Sequence, residues 1–115
     1  MDSVHGSPAA SSHEYAVWTW QLKANTEGSA IPVLDYNRAA VQLAGSLGGA
    51  HVALQGRLGP INDFSPINDQ EGFAIAGLRD QKMTEVPNLM VAEIKPVVIG
   101  GSEETEITVT LVLKR

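Results

Sequence analysis

The 115 residues are typical of one domain, because single domains most often contain roughly 100–150 residues, and they leave no room for a second one. Hydrophobic residues make up 43% of the chain and charged residues 18%, a composition that predicts a packed core and excludes a disordered chain. The absence of cysteine excludes disulfides, thiolate metal sites and a cysteine nucleophile, and the net charge of −5 argues against a nucleic-acid partner.

Residues 1–14 consist mostly of Ser, Ala, Gly and Pro, and they cannot bury enough apolar surface to offset the entropy lost on ordering. We predict a flexible N-terminal arm over residues 1–14 and a single β-sandwich domain over residues 15–115. Two interpretations of the arm stay open: a frayed terminus, or a segment that becomes ordered only against a neighbouring subunit.

The first predicted strand covers residues 15–23, where Trp18, Trp20 and Leu22 occupy every second position. This period places both tryptophans on one face of the strand. Tryptophans in this arrangement either belong to the core, which we prefer, or stack on a sugar or anchor an interface.

Two alternating apolar segments come next, after a predicted loop at 25–29 and residues 31–34, whose proline predicts an edge strand or an extended connector. Residues 39–47 and 52–58 both alternate, and the glycine pair between them supplies the positive φ that a tight turn needs. We therefore predict that these two segments form a β-hairpin.

Residues 59–72 contain the tetrapeptide Pro-Ile-Asn-Asp twice, six residues apart. Proline restricts φ, and Asn and Asp side chains bond to their own backbone, so both copies predict turns within one long loop. The same side chains support a weaker calcium hypothesis, because Ca²⁺ binds about six to eight oxygen ligands. The candidate ligands are Asn62, Asp63, Asn68, Asp69 and Glu71.

Further strands are predicted in the rest of the chain. Residues 73–78 form a short apolar strand, and residues 79–87 are polar and are predicted as a loop or a single helical turn. Residues 89–99 are rich in β-branched residues, 100–103 form a turn, and 107–114 place a large aliphatic residue at every second position. We predict that the last two strands pair as a hairpin.

Strands joined by glycine and proline turns, with no stretch of helical periodicity, predict an all-β fold: an antiparallel β-sandwich that is jelly-roll-like. Catalytic patterns are missing from the sequence. His51 is the only histidine within the predicted domain, and no Gly-x-Ser-x-Gly turn occurs. We therefore predict no enzyme activity, no cofactor and no metal.

Apolar stretches are short throughout the chain. None approaches the roughly 20 residues that span a bilayer, and the N-terminus lacks the pattern of a signal peptide. We therefore expect no membrane partner and synthesis in the cytoplasm.

Two segments of the chain resemble a known family. Residues 38–57 read RAAVQLAGSLGGAHVALQGR, and residues 94–115 read IKPVVIGGSEETEITVTLVLKR. Together they resemble the capsid decoration, or cement, proteins of tailed bacteriophages. In those proteins a strand ending in Gly-x-Leu/Phe-Gly-Gly leads into Val-x-Leu-x-Gly and an Asn-Asp loop, and a C-terminal strand of alternating Thr and aliphatic residues ends in two basic residues.

The resemblance covers residues 38–115, about two thirds of the chain. It departs from the family pattern after Val-x-Leu-x-Gly, where relatives often continue at once with a Ser-Asn-Asp-Gly type of turn. Here the segment Arg-Leu-Gly-Pro-Ile-Asn-Asp at 57–63 stands in that place.

The resemblance implies a small jelly-roll-like structural protein of the virion without enzyme activity. Such a protein binds the outer surface of the major capsid protein lattice and stabilises the head against the pressure of the packaged DNA. The implied partners are the major capsid protein and further copies of this chain, as a homodimer or a homotrimer. The implied location is the outer surface of the capsid, after synthesis in the host cytoplasm.

Under this hypothesis the arm 1–14 and the loop 59–72 make the partner contacts, since termini and loops extend beyond the rigid sheets. The predicted contact residues are Val4, His5, Pro8, His13, Ile61, Phe64, Ile67 and Asp69. Two alternatives stay open: a carbohydrate- or ligand-binding β-sandwich module of a virion, and a head-completion or tail structural protein.

Overall fold

Eleven β-strands occur in the part of the chain that the computed structural model describes. The described residues are 2–4, 6–11, 15–59, 61–69, 74–75, 77–79, 83–86 and 89–115. The strands are β1 (Asp2–Val4), β2 (Ser7–Ser11), β3 (Tyr15–Leu22), β4 (Thr26–Gly28), β5 (Ile31–Pro32), β6 (Arg38–Ser46), β7 (His51–Arg57), β8 (Ser65–Pro66), β9 (Thr84–Val86), β10 (Glu93–Ile99) and β11 (Glu106–Lys114). The described residues include no helix, and therefore none long and apolar enough to cross a membrane.

The strands form two sheets that enclose one core. The six-stranded sheet has the order β1-β4-β10-β7-β8, with β5 also paired to β10, and the five-stranded sheet has the order β2-β3-β11-β6-β9. Among the described strands every pair is antiparallel except the short parallel pair of β1 and β4. This arrangement confirms the predicted all-β antiparallel sandwich.

Alternating apolar residues fill the space between the two sheets. Along β11, the side chains of Ile107, Val109, Leu111 and Leu113 are fully buried, and the residues between them face outward. The other large side chains that are fully buried come from both sheets. They are Trp20, Leu22, Val33, Val41, Val52, Leu54, Ile94 and Val98. Removal of this apolar surface from water is the main contribution to the stability of the fold.

Trp20 is a core residue, as preferred from the sequence. Its side chain is 1% exposed, and its Nε1 donates a hydrogen bond to the carbonyl oxygen of Ser29 at 3.2 Å. Two glycines lie against the indole ring, because a Cβ atom would lie 2.5 Å from the ring on Gly28 and 2.7 Å from it on Gly6. Trp18 is partly buried against the same core.

The N-terminal arm contributes strands β1 and β2 in its described residues. β1 pairs with β4 in the six-stranded sheet, and β2 pairs with β3 in the five-stranded sheet. Gly6, which connects these strands, lies against the Trp20 ring. The domain boundary at residue 15 stays a prediction.

Both predicted hairpins are wrong, although their strands exist. β6 pairs with β11 in the five-stranded sheet, whereas β7 pairs with β10 in the six-stranded sheet. The chain therefore crosses from one sheet to the other at the turn between β6 and β7, and again between β10 and β11. A hairpin and a crossing between sheets both need a tight glycine turn, so the turn residues alone do not distinguish them.

The turn end of the sandwich, defined as residues 47–50 and 100–105, holds the two crossings together. The Thr105 hydroxyl accepts a hydrogen bond from the N–H of Ser102 at 2.9 Å and donates one to the carbonyl oxygen of Leu47 at 2.9 Å. One buried side chain thereby connects both turns. This contact stabilises the adjacent crossings and has no equivalent in an isolated hairpin.

Glycine is required at two positions beside this hydroxyl. Gly48 and Gly101 have φ values of 56° and 104°, in the left-handed region that side chains rarely adopt. A Cβ atom at either position would lie 2.5 Å from the Thr105 hydroxyl oxygen. The positive φ expected between 47 and 52 is therefore present, but it allows the crossing instead of a hairpin.

Three short elements differ from the sequence predictions. β4 forms within a predicted loop, and β9 forms within the segment predicted as a loop or helical turn. The predicted strand at 73–78 consists, in its described residues, of isolated bridges from Ala74 to Asn68 and from Leu78 to Val52. Each element is held by backbone pairing to a distant segment, which a local sequence pattern does not reveal.

Candidate partner-binding surface

The loop end of the sandwich, defined as residues 58–59, 61–69 and 89–92, lies opposite the turn end. β7 and β10 are antiparallel neighbours, so the segment that leaves β7 at Arg57 meets the segment that enters β10 at Glu93. The N–H of Ala92 donates a hydrogen bond to the carbonyl oxygen of Arg57 at 2.8 Å. The long loop and the approach to β10 therefore form one surface.

Ile67 anchors the long loop to the sandwich. Its N–H donates to the carbonyl oxygen of Leu54 at 3.2 Å, and its own carbonyl oxygen accepts from the N–H of Ile75 at 2.7 Å. Its side chain packs against the core. The preceding strand β8 pairs with β7. The second Pro-Ile-Asn-Asp copy is thus held by strand pairing in addition to its turn residues.

Three large apolar side chains of the loop end are exposed. Leu58 is 72% exposed, Met90 is 81% exposed and Ile61 is 96% exposed. Scattered apolar residues are ordinary on a protein surface, but several at one end of a domain are typical of a contact surface.

Two adjoining cavities give the loop end the shape of a groove. Their volumes are about 340 Å³ and about 260 Å³, and Pro66, Ile67 and Val91 line both of them. Met90 also lines the larger cavity, and Leu58 lines the smaller one. The groove therefore has a mixed lining, in which apolar side chains stand beside the Asn-Asp pairs of the long loop.

Phe64 attaches the long loop to the outer face of the six-stranded sheet. The centre of its ring lies 4.5 Å from the guanidinium carbon of Arg57 and 4.2 Å from Nζ of Lys95. Arg57 also forms an ion pair with Glu93 at 2.7 Å, and Lys95 forms one with Glu27 at 2.8 Å. A cation above an aromatic face is attracted to it, so Phe64 holds the loop against its own domain.

Four of the predicted contact residues belong to the loop end. Ile61 is almost fully exposed, whereas Phe64 is partly buried beside the two cations. Ile67 is partly buried between the groove and the core, and Asp69 is half-buried in the wall of the larger cavity. The structure therefore brings these four residues to one region.

The other four predicted contact residues belong to the arm. Val4 lies in β1 and Pro8 in β2. His5 and His13 lie outside the described residues. The contact role of the arm stays a prediction.

Sequence reasoning missed Leu58 and Met90 as surface residues and Val91 as a lining residue of the groove. Leu58 extended a predicted strand, and the other two lay in a segment rich in β-branched residues. Hydrophobicity does not separate Met90 from a core residue, because its neighbour Leu89 is buried. The sequence therefore offered no local signal for this exposure.

The calcium hypothesis gains no support from the described residues. Asn62 and Asp63 line the smaller cavity, whereas Asn68 and Asp69 line the larger one. In the described part of the chain no three His, Asp or Glu side chains gather as a metal site would require. Glu71 lies outside the described residues.

The interior of the sandwich is filled by apolar side chains. Within the described ranges Thr105 is the only buried polar side chain, and its hydroxyl connects the two turns of the turn end. His51 lies at the start of β7, opposite Ile99 and far from the groove. A binding partner would therefore meet the outside of the domain, where the loop end presents an apolar groove.

Solved structures with the same architecture define the fold further. The SPBc2 prophage-derived protein YomS matches with a TM-score of 0.70 and 11% identity, over 89% of this chain and 94% of that chain. A cupin domain from Bordetella pertussis Tohama I matches with a TM-score of 0.55 and 10% identity, over 99% and 95% of the two chains. The Schizosaccharomyces pombe Cnp3 cupin domain matches with a TM-score of 0.51 and 10% identity, over 95% and 59%.

The class of protein is thus a jelly-roll-like β-sandwich, as predicted. The fold occurs both in a prophage-derived protein and in cupin domains. No protein-family model matches the sequence, and no curated protein matches it. At these identities the structural likenesses define the fold alone.

Proposed function

We propose that this protein is a capsid decoration, or cement, protein of a tailed bacteriophage. It binds the outer surface of the major capsid protein lattice and has a structural, non-enzymatic role. The observation that carries the proposal is the loop end, an exposed apolar groove on a domain whose interior is filled by its own side chains. The resemblance of residues 38–115 to decoration proteins and the likeness of the fold to a prophage-derived protein support it.

The chemistry of the loop end suits a protein partner. Burying an exposed apolar side chain such as Leu58, Ile61 or Met90 contributes about 1.5–3 kcal/mol when burial is complete. The Asn and Asp side chains that line the groove supply hydrogen-bonding groups beside this apolar surface. Protein interfaces combine apolar surface with hydrogen bonds in this way.

A modest contact is sufficient when the partner is a lattice. Interfaces of about 800 Å² per partner range from micromolar to picomolar affinity. An oligomer that contacts several capsid subunits at once gains effective concentration and binds more tightly than each single contact. Internal pressure from the packaged DNA must then break several contacts together, which stabilises the head.

The net charge of −5 suits the outside of the capsid. An acidic protein gains no attraction from the phosphates of packaged DNA. A cryo-EM map of the particle tests this location directly. We expect density for the chain on the outer capsid surface, and density at the neck or tail would replace decoration by a head-completion or tail role.

Reconstitution on heads that lack this protein tests the contact surface. The double variant Leu58→Asp/Met90→Asp places carboxylates in the groove. We expect at least about tenfold weaker binding, because a carboxylate buried in an apolar contact loses its hydration. Bound protein per head is measured after sedimentation of the heads.

The matched control is Ile99→Asp, which adds a carboxylate at an exposed strand position next to the turn end. Its binding is expected to equal that of the wild type. Thermal unfolding of all variants verifies that each one is folded. Wild-type binding by the Leu58→Asp/Met90→Asp variant would exclude the loop end as the capsid contact.

A carbohydrate- or ligand-binding module is the second candidate. The larger cavity, at about 340 Å³, falls within the roughly 300–1,000 Å³ of small-molecule sites. Asn68 and Asp69 line it beside Met90, so hydroxyl groups and an apolar face could be contacted together. Thermal unfolding in the presence of each member of an oligosaccharide panel tests this function. A rise in unfolding temperature that Asn68→Ala abolishes would favour it over decoration.

A further inference from the structure

The outer face of the five-stranded sheet has an uncharged middle. Outward residues of β3, β11 and β6 stand side by side in register. In the rows that contain Thr108, Thr110 and Val112 of β11, all of these residues are Val, Thr, Ala or Gln. We call these nine residues of β3, β11 and β6 the neutral face, and Glu85 of β9 borders it beside Ala40.

Opposite charges lie at the two ends of the neutral face. At one end, Lys114 of β11 lies directly opposite Arg38 of β6, and both are exposed. At the other end β11 begins with exposed Glu106, which follows exposed Glu103 and Glu104 closely in the chain. Exposed Lys23 follows the end of β3 beside Glu106, and three carboxylates against this one cation leave that end acidic. The outer face is therefore basic at one end and acidic at the other.

The basic end contains an unfavourable neighbour pair. Like charges directly opposite each other on adjacent strands repel. Glu85 of β9 lies one row away, opposite Ala40, and it borders a shallow hollow of about 160 Å³ together with Arg38 and Lys114. One carboxylate against two cations leaves an excess of positive charge. An acidic group from another molecule would reduce this repulsion.

We propose that the neutral face is the interface of a symmetric homodimer. The second copy is related to the first by a twofold axis that passes over Thr110, the central residue of β11, parallel to the sheet and perpendicular to the strand. Because Glu106 and Lys114 are equally distant from Thr110 along the strand, this axis places each Lys114 over Glu106 of the second copy. One symmetric contact thereby brings the basic end of each copy to the acidic end of the other. The inference does not depend on the proposed function.

The size of the outer face is adequate for such a dimer. The five strands of this sheet contain 34 residues, and at about 3.4 Å per residue and about 4.8 Å between strands they cover roughly 550 Å² per copy. The total of about 1,100 Å² just exceeds the roughly 1,000 Å² expected of a specific interface. Small and β-branched residues let two sheets stack about 10 Å apart. Each chain carries a net charge of −5, so two copies repel each other least where uncharged surfaces meet.

Sedimentation equilibrium of the full chain tests the interface. We expect a dimer for the wild type and a monomer for Thr110→Arg, because the axis brings the two introduced guanidinium groups together. The matched control is Ile99→Arg, at an exposed strand position of the other sheet. It is expected to remain dimeric. Circular dichroism verifies that both variants keep the β-sheet fold.

Charge reversal tests the orientation of the two copies. Lys114→Glu would face Glu106 of the second copy, and we expect at least about tenfold weaker dimerisation at low salt and a smaller effect at high salt. The same change gives Arg38 an acidic neighbour, so the monomer is not destabilised. The double variant Lys114→Glu/Glu106→Lys is expected to recover the wild-type affinity.

Several outcomes would overturn the dimer. These are a wild-type chain that stays monomeric at about 1 mM, a trimer, and a dimer that Thr110→Arg leaves intact. A double variant that does not recover affinity would exclude the twofold axis through Thr110. These measurements use the protein alone, whereas the head-binding assay probes the loop end, so the two proposals fail separately.

Discussion

The two ends of the sandwich differ in how much of their surface the chain itself covers. At the turn end, the Thr105 hydroxyl hydrogen-bonds to both turns, and two glycines pack closely against it. At the loop end, Leu58, Ile61 and Met90 remain exposed around a groove. The first end is closed by its own contacts, whereas the second presents apolar surface that only another molecule can bury.

The lengths of the connections explain this difference. Four residues connect β6 to β7, and six connect β10 to β11, so few groups lie outside the sheets at the turn end. The loop end carries the first part of the much longer connection between β7 and β9, which contains β8. Long loops hold side chains that the core does not need, and binding residues are often found on them.

The largest loss of stability is expected from a substitution in the core of β11, which runs between the two ends. Val109→Asp places an unpaired carboxylate at a fully buried position of β11, and we expect loss of folding. The matched control is Thr108→Asp, whose side chain faces outward on the same strand. Circular dichroism and cooperative thermal unfolding measure both variants. Cooperative unfolding of Val109→Asp at the wild-type temperature would contradict the two-sheet core.

The next largest loss of stability is expected from replacing a glycine of the turn end. Gly101→Ala introduces a Cβ 2.5 Å from the Thr105 hydroxyl oxygen at a φ of 104°, and we expect a loss of about 3 kcal/mol in unfolding free energy. At Gly100 the φ is also positive, but a Cβ would have no neighbour within 4 Å. Gly100→Ala should therefore cost only about 1 kcal/mol. Urea denaturation compares the two, and equal losses would show that packing against Thr105 is unimportant.

Removing the Thr105 hydroxyl is expected to lower the unfolding free energy by a smaller amount than Gly101→Ala. Thr105→Val leaves the Leu47 carbonyl oxygen and the Ser102 N–H without this partner, which costs about 1–3 kcal/mol. Thr105→Ser keeps the hydroxyl and should cost less. Urea denaturation measures both. If Thr105→Val were as stable as the wild type, the turn end would not be closed by this contact.

At the loop end, Phe64 is expected to make a moderate contribution. Phe64→Leu keeps an apolar side chain but removes the aromatic face beside Arg57 and Lys95, at a cost of about 1 kcal/mol. Phe64→Tyr retains that face and is the matched control. Thermal unfolding at low and high salt measures the difference, and an identical loss for both variants would attribute it to shape instead of cation–π attraction.

The smallest effect is expected from the exposed apolar residues of the groove. Leu58→Ser and Met90→Ser should change the unfolding free energy by less than about 0.5 kcal/mol, because neither side chain is buried in the single chain. Urea denaturation measures both variants, with the buried neighbour change Leu89→Ser as the destabilising control. A large loss at Leu58 or Met90 would assign these residues to the core and remove the contrast between the two ends.

The long strands could be predicted from alternation, but their partners could not. β3, β6, β7 and β11 begin and end within two residues of the predicted segments. The hairpins were wrong because a glycine turn permits a crossing between sheets as well as a reversal within one sheet. β4 and β9 are three residues long and too short to show a period.

The candidate site could be predicted in part. The repeated Pro-Ile-Asn-Asp segment pointed to the long loop, which places Ile61, Ile67 and Asp69 at the loop end. Met90 comes from a distant part of the chain and reaches the same groove only because β7 and β10 are neighbours. Its exposure depends on that pairing, and no local property of the sequence records it.

By itself the sequence determined that this chain is built from strands with one apolar face, because side chains of an extended backbone alternate between its two sides. It also determined where tight turns with positive φ occur, since glycine adopts that conformation without steric cost. The tertiary structure alone decided which strands pair, which turns cross between sheets, and which apolar side chains stay exposed. Those outcomes depend on contacts between residues far apart in the chain, whose free energies no short segment contains.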